Sequence, residues 1–322
     1  MNQRIIVTGA AGFIGRNIVE MLNRRGHENL LLVDHLGNDE KWKNLVGLKY
    51  EDLLQPPQFL DLVIGDKLSP ASVCIHEGAC SATTEKNADY LLENNYRFTR
   101  LLCEWSLRHK TRFVYASSAA TYGDGALGYN DDDAVTPKLQ PLNMYGYSKH
   151  MFDLWALQNG LLDKIVGLKY FNVYGPYEDH KGDMRSLVQK AYHQIKSKGY
   201  IELFKSYHPD YQDGEQKRDF VYVRDAAKVT LHFALDTKAG GLYNCGAGQA
   251  RTWVDLAKAL FSAMNLKPDI RFIEMPEILQ GKYQYFTQAD EKKLQTAGGY
   301  KHPFASIEEG VADYVRTHLS KQ

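Results

Sequence analysis

The chain has 322 residues, 44% of them hydrophobic, which is ample for a core and long for one compact unit, so one large or two intimately joined domains are expected and a disordered chain is excluded. Lys plus Arg and Asp plus Glu number 39 each, so no global field gathers nucleic acid or an anionic membrane surface, and an anionic ligand must be held by local groups. No apolar run approaches the roughly 18 residues of a membrane span, and Met1 to Thr8 lacks the pattern of a secretory signal. Cys74, Cys80, Cys103 and Cys245 lie scattered with no CxxC pair. The expectation is a cytoplasmic protein with buried reduced thiols, no metal site, and no nucleic-acid or membrane partner.

In chain order, short Val- and Ile-rich runs at Arg4 to Thr8, Leu30 to Asp34, Ser72 to His76, Phe113 to Ser117 and Ile165 to Tyr170 alternate with helix-length stretches. That rhythm predicts an α/β fold with a doubly wound parallel sheet covered by helices on both faces. Beyond about Tyr174 the rhythm degrades, and Ser206 to Lys217, containing Pro209 and Gly214, reads as an exposed loop. Arg218 to Val223 reads as a strand leading into a helix opened by Asp225 as its cap, and Gly241 to Gly246 as a strand returning to the first sheet. The expected division is a dinucleotide-binding domain of residues 1–173 plus about 218–246, and a smaller mixed α/β C-terminal substrate domain of about 174–217 plus 247–322.

Gly9, Gly12 and Gly15 follow the strand residues Ile5 to Val7 and open an amphipathic stretch of Phe13, Ile14, Ile18, Val19 and Leu22. At such a strand-to-helix turn Gly9 permits the bend, Gly12 lets backbone N–H groups approach a pyrophosphate, and Gly15 lets the helix pack against the sheet. This is the arrangement of a Rossmann-type dinucleotide site. Asp34 ends the second strand nineteen residues beyond Gly15, placed to accept hydrogen bonds from the adenosine ribose. Its charge argues for NAD, while His35 and Lys41 close by are able to neutralise a 2′-phosphate, so NADP stays open.

Oxidation of an ordinary carbinol begins with hydride removal, and the hydroxyl proton must leave through a base. A Lys ammonium about 4 Å from a phenol, at an effective dielectric of ~20, offers about 4 kcal/mol, or about three pKa units. Tyr145 and Lys149 form such a helical i, i+4 pair. Tyr177 with Lys181 and Tyr192 with Lys196 share the spacing, so setting decides among them. Ser117 and Ser118 close an apolar strand some twenty-odd residues before Tyr145, which places Ser118 to hydrogen-bond the substrate hydroxyl.

Gly9-Ala-Ala-Gly12-Phe-Ile-Gly15, Tyr115-Ala-Ser-Ser118-Ala-Ala-Thr121-Tyr-Gly and Tyr145-Gly-Tyr-Ser-Lys149 resemble the extended short-chain dehydrogenase/reductase family. His76-Glu-Gly-Ala-Cys80-Ser, Tyr170-Phe-Asn-Val-Tyr-Gly-Pro176, His180-Lys-Gly182, Arg218-Asp-Phe-Val-Tyr-Val223 and Tyr283-Gln-Tyr-Phe-Thr-Gln-Ala-Asp290 are similar, over nearly the full length, to its nucleotide-sugar epimerases that invert C6″ of ADP-D-glycero-D-manno-heptose for the inner core of lipopolysaccharide. The resemblance implies tightly held NADP that is oxidised and restored in each cycle, and a homo-oligomer, a pentamer.

It also implies cofactor contacts from Phe13, Ile14, Asp34, His35, Lys41, Glu77, Gly78, Ala79, Cys80, Ser81, Asn94, Lys149 and Val173. Substrate contacts are implied for Asn172, Lys181, Asp183, Lys190, Phe204, Lys205, Ser206, Tyr207, Arg218 and Tyr283. Arg218 is expected on the pyrophosphate as a bidentate donor, and Lys181 as a second acid/base beside Tyr145, since inversion needs a proton carrier in each of two substrate poses. Asp183, Lys190 and Lys205-Ser206-Tyr207 depart from the family's residues, Pro56 stands where a cofactor-side Lys is common, and the loop from Tyr207 to Gln216 is longer than the resemblance suggests. The alternatives are another nucleotide-sugar epimerase, such as a UDP-hexose 4-epimerase, or a dinucleotide-sensing regulator without catalysis. A dehydratase is disfavoured, because Ala119, Ala120, Thr121 and Tyr122 stand where its acidic pair belongs.

Overall fold

The computed structural model describes residues 3–280 and 283–321. Strands β1 (Ile5–Thr8), β2 (Leu30–Val33), β3 (Asp52–Leu54), β4 (Val73–His76), β5 (Arg112–Ser118) and β6 (Ile165–Tyr170) alternate with helices α1 (Phe13–Arg24), α2 (Pro56–Ile64), α3 (Ala88–Leu91), α4 (Phe98–Arg108) and α5 (Met144–Gln158). There follow β7 (Asn172–Tyr174), α6 (Leu187–Lys198), β8 (Ile201–Phe204), β9 (Lys217–Tyr222), α7 (Val223–Leu231), β10 (Gly241–Cys245), β11 (Ala250–Thr252), α8 (Trp253–Ala263), β12 (Ile270–Ile273), α9 (Glu277–Gln280), α10 (Lys292–Thr296) and α11 (Ile307–Thr317).

Among the described residues, the larger sheet is seven-stranded in the order β10-β6-β5-β4-β1-β2-β3, and every pairing in it is parallel. Its central strands are buried on both faces and read as unbroken apolar runs, as a sheet sandwiched by helices requires. One face packs Ile5, Val7, Ile75 and Val114 against α1 and α7; the other packs Ile6, Cys74 and Phe113 against Phe59, Leu102, Trp105 and Phe152 of α2, α4 and α5. The strand order reverses direction between β1 and β4, so the C-terminal ends of these two strands flank the crevice where doubly wound sheets bind ligands.

The second core lies around α6, α8 and α11, with Val188, Leu256, Leu260, Phe261, Val311 and Tyr314. It is roofed by a three-stranded sheet β11-β9-β7 and a two-stranded sheet β12-β8, with β9 antiparallel to β11 and parallel to β7. This is the mixed C-terminal part expected from the loss of rhythm after Tyr174. β10 does rejoin the larger sheet, against β6, whereas β9 pairs in the smaller one. One local expectation is corrected. α7 begins at Val223 with Tyr222 as its cap residue, so Asp225 sits inside the first turn, where its carboxylate accepts from the Ala305 N–H at 2.8 Å and the Lys228 ammonium at 2.8 Å. Short β3 was not anticipated, being only three residues at the sheet edge. No helix among the described residues is long and apolar enough to cross a membrane.

Candidate active site

The turn after β1 is built around glycine. Gly9 takes a positive φ of 66°, and a Cβ there would lie 2.7 Å from the backbone of Glu77 and Gly78. A Cβ on Gly15 would lie 2.1 Å from the Gly9 carbonyl oxygen, so α1 approaches the turn as closely as a helix can. The N-terminus of α1 has no side-chain cap and no acidic residue in its first turn, which leaves its N–H groups and partial positive charge free for an anion. This cradle fits a dinucleotide pyrophosphate.

At the end of β2, Asp34 accepts from the Ala11 N–H at 2.8 Å and from the Lys41 ammonium at 2.6 Å. Lys41 also reaches the His35 carbonyl at 2.9 Å, and the His35 side chain is exposed. A cavity of about 530 Å³ opens here, lined by Asp34, His35, Asn38, Leu53, Gln55 and Gln58. The residues named for the adenosine end therefore converge, and Gln55 and Gln58, which sequence reasoning missed, complete the wall.

The strip Glu77 to Ser81 follows β4 and faces the glycine turn. The Gly78 N–H donates to Thr8 Oγ at 3.0 Å, and Thr8 in turn bonds His76 at 2.7 Å, whose other ring nitrogen meets Thr99 at 2.9 Å. Asn94 reaches only its neighbour Asn95 among the described hydrogen bonds. Asn95 is the clamp: it bonds both the Cys80 N–H and the Cys80 carbonyl, and donates to Ser148 Oγ at 3.0 Å. That ties the strip to α5. Glu77 receives the Tyr170 hydroxyl at 2.8 Å, and burial pushes its carboxyl up to about 7, opposed by that hydrogen bond and by Lys149.

Asn143 caps α5 through the Gly146 N–H, which presents Tyr145 and Lys149 to the C-terminal end of β5. The Ser118 hydroxyl accepts from the Ala120 N–H at 3.1 Å and stands near enough to the Tyr145 phenol to oppose the rise in its pKa, and Lys149 donates to the Ala116 carbonyl at 2.8 Å. Burial pushes the Lys149 ammonium down to about 8 against the fields of Glu77 and Asp153. The expected lowering of the Tyr145 phenol by Lys149 is not what the chain alone displays. Burial, aided by the nearby Cys80 and Glu77, holds the phenol above its usual range against the opposing effect of Ser118. The competing Tyr–Lys pairs are accounted for elsewhere: Tyr177 stacks on Arg16 at 3.7 Å, and Tyr192 belongs to the second core.

The groups named for substrate fall into three clusters. Arg218, only 6% exposed, donates to the Lys217 carbonyl at 2.9 Å and lies 5.2 Å from the Tyr283 ring and 5.8 Å from that of Trp253. Among the described residues no carboxylate pairs with it. A guanidinium buried among aromatics with spare N–H groups suits an anionic ligand. Asn172 of β7 lies across from Phe220 of the paired strand β9, and Val173 is half-buried beside both cores. Lys181 sits over the Phe13 ring at 5.2 Å, with burial lowering its pKa against the opposing field of Glu178; nearby, Lys190 donates to the Asp183 carbonyl at 2.6 Å. Beyond Phe204 at the end of β8, Lys205 pairs with Glu274 at 2.5 Å and the Tyr207 hydroxyl donates to the same carboxylate. Ser206 donates through its backbone to Asp213 at 2.7 Å. This third cluster braces the loop up to Gln216 against the segment after β12.

The sequence model of the NAD dependent epimerase/dehydratase family matches residues 5–246. The ADP-L-glycero-D-manno-heptose-6-epimerase of Nitratidesulfovibrio vulgaris (strain DP4) is 53% identical over 316 residues, 98% of this chain and 98% of its own. Its counterpart of the same name in Fusobacterium nucleatum subsp. nucleatum is 46% identical over 330 residues, 99% of this chain and 98% of its own. The crystal structure of Helicobacter pylori ADP-L-glycero-D-manno-heptose-6-epimerase superposes with a TM-score of 0.82 at 27% identity, covering 98% of this chain and 96% of that one. A UDP-N-acetylglucosamine 4-epimerase from Methanobrevibacter ruminantium shares the fold, with a TM-score of 0.83 at 21% identity over 100% of this chain and 99% of that one.

Proposed function

The chain belongs to the NAD dependent epimerase/dehydratase family, and we propose that it converts ADP-D-glycero-D-manno-heptose to ADP-L-glycero-D-manno-heptose with NADP, in the cytoplasm and as a homo-oligomer, to supply heptose for the lipopolysaccharide inner core. The end-to-end match to curated relatives of that name supports the substrate. The observation that carries the chemistry is the placing of Tyr145 and buried Lys149 on one face of α5, at the C-terminal end of β5 where Ser118 stands. Pairing of Lys41 with Asp34 supports NADP, since the ammonium offsets a carboxylate that would otherwise repel a 2′-phosphate.

When bound, the cofactor would be held by the glycine turn with Asp34 and Lys41 at its adenosine end, and would supply the hydride acceptor and donor and the positive charge of its oxidised ring. Tyr145 accepts the C6″ hydroxyl proton as the C–H hydride leaves, Ser118 holds that oxygen, and Lys149 favours the phenolate. The carbonyl formed at C6″ turns over within the pocket so that hydride returns to its opposite face. Arg218 anchors the pyrophosphate during that rotation, and the Lys181 ammonium, made more acidic by burial, gives a proton to the C6″ oxygen as hydride returns in the second pose, the proton held by Tyr145 passing back to Lys181 through solvent before the next turnover.

The test is to incubate the purified protein with ADP-D-glycero-D-manno-heptose, without added reductant, and follow C6″ configuration by NMR. A mixture of both epimers is expected. Tyr145→Phe should lower the rate by about 10²–10⁴-fold, the range for a positioned acid/base, and Lys181→Met should lower it comparably. No conversion by cofactor-loaded protein would move the substrate to another nucleotide sugar.

A further inference from the structure

Beneath the site lies a charged cluster with no expected role. Asp153 and Lys169 are both fully buried, with 0% side-chain exposure, and pair at 2.8 Å. Asp153 also accepts the Tyr115 hydroxyl at 2.8 Å and the Ser117 hydroxyl at 2.8 Å. Lys169 gives a second proton to Thr121 Oγ at 2.8 Å, and Thr121 donates onward to the Ser118 carbonyl at 2.8 Å. Every hydrogen bond in this chain is directed and charge-assisted or lies one step from a charge.

Such a pair is a poor way to stabilise a core. The desolvation of two ions commonly cancels their attraction, and apolar residues of the same volume serve as well or better. What a satisfied buried network does provide is a single geometry. The geometry held here is that of the reacting groups. Tyr145, Lys149 and Asp153 lie four residues apart along one face of α5. Lys149 takes the Ala116 carbonyl, Asp153 takes the Tyr115 and Ser117 side chains, and Lys169 reaches the Ser118 carbonyl through Thr121. Four consecutive residues of β5 are thereby fastened to α5 and β6, and they end at Ser118, the residue proposed to act with Tyr145.

We propose that Asp153 and Lys169 are positioning residues that set the register between β5 and α5 and so align Ser118 with Tyr145. This rests on the reading of Ser118 and Tyr145 as the reacting pair. Neither residue touches substrate; their effect passes through Ser118 and the helix. Misalignment on the scale of an ångström is enough to slow a reaction by as much as a hundredfold without weakening binding.

The experiment compares the full chain with two variants. Asp153→Asn combined with Lys169→Met removes both charges at nearly constant volume. Thr121→Val is isosteric and leaves the ion pair intact while removing both bonds of the Thr121 hydroxyl, from the Lys169 ammonium and to the Ser118 carbonyl, so it serves if the double variant fails to fold. The proposal expects kcat to fall about tenfold to a hundredfold in the double variant and severalfold in Thr121→Val. KM and cofactor Kd should stay within about threefold in both, with the Thr121→Val melting temperature little changed. A lowered melting temperature with unchanged kcat in the folded variants overturns it, because a purely structural role moves stability alone. Turnover by the unsubstituted chain reports separately on the reading of the site. Should that turnover be absent, crystal structures decide instead: a Ser118–Tyr145 separation unchanged in the variants overturns the proposal, and a displaced one supports it.

Discussion

Burial pushes the His76 imidazole down to about 3, with the Lys149 charge adding to the effect. The neutral ring bridges Thr8 and Thr99, so it steadies the floor of the cofactor strip as an uncharged donor and acceptor. The folded chain takes up this proton only near pH 3, whereas an unfolded chain does so near 6.5. The unfolded state therefore binds more protons between those values, and the stability is present in full above pH 6.5 and drains away as pH falls toward 3. Each unit of the depression is worth about 1.4 kcal/mol. His76→Gln, which keeps a donor and an acceptor without titrating, should flatten the decline of urea-unfolding stability between pH 7 and 4; an unchanged slope would show that the histidine's proton is not what links stability to acid.

At the scale of elements, the junction of β1, its turn and α1 depends on the close approach of Gly15 to the Gly9 carbonyl. A methyl at 2.1 Å from that oxygen meets backbone that has no room to yield, because Gly9 is itself pressed against Glu77 and Gly78. Gly15→Ala should lower stability by about 1–3 kcal/mol, the usual range for overpacking, and weaken NADP binding at least tenfold, read by fluorescence titration. Unaltered affinity would mean that the turn does not cradle the pyrophosphate. The same junction was legible in the sequence because glycines at such spacing, between an apolar strand and an amphipathic helix, constrain local conformation directly. Asn95 was not legible. Its two bonds to Cys80 and one to Ser148 join segments fifteen and fifty-three residues away, and nothing in its neighbours along the chain announces them.

Taken as a whole, the molecule joins the crevice of the larger sheet, proposed to hold the cofactor, to the buried guanidinium of Arg218 in the smaller one, proposed to hold the substrate's pyrophosphate. A cofactor that binds only the folded chain adds stability by mass action, about 2.7 kcal/mol at a free concentration one hundred times its Kd. NADP at that excess should raise the urea midpoint accordingly. Lys41→Ala should remove most of the advantage of NADP over NAD in the same titration, since the carboxylate of Asp34 would then face the 2′-phosphate uncompensated. Equal stabilisation by both dinucleotides in the unsubstituted chain would contradict the assignment of NADP.

The parallel sheet, the glycine turn, and the placing of Tyr145 and Lys149 on one helix face at the end of the strand that closes with Ser118 followed from the sequence because each is written in short-range terms: strand and helix periodicity, glycine spacing, and a helical i, i+4 pair behind a strand. Resemblance along the chain added Lys181 and Arg218, which spacing did not single out. Only the tertiary structure decided that burial raises the Tyr145 phenol in the chain alone, that Arg218 lies among aromatics without a carboxylate, and that Asp153 and Lys169 underpin the site. Burial and long-range pairing set electrostatics, and both depend on which distant segments the fold brings together.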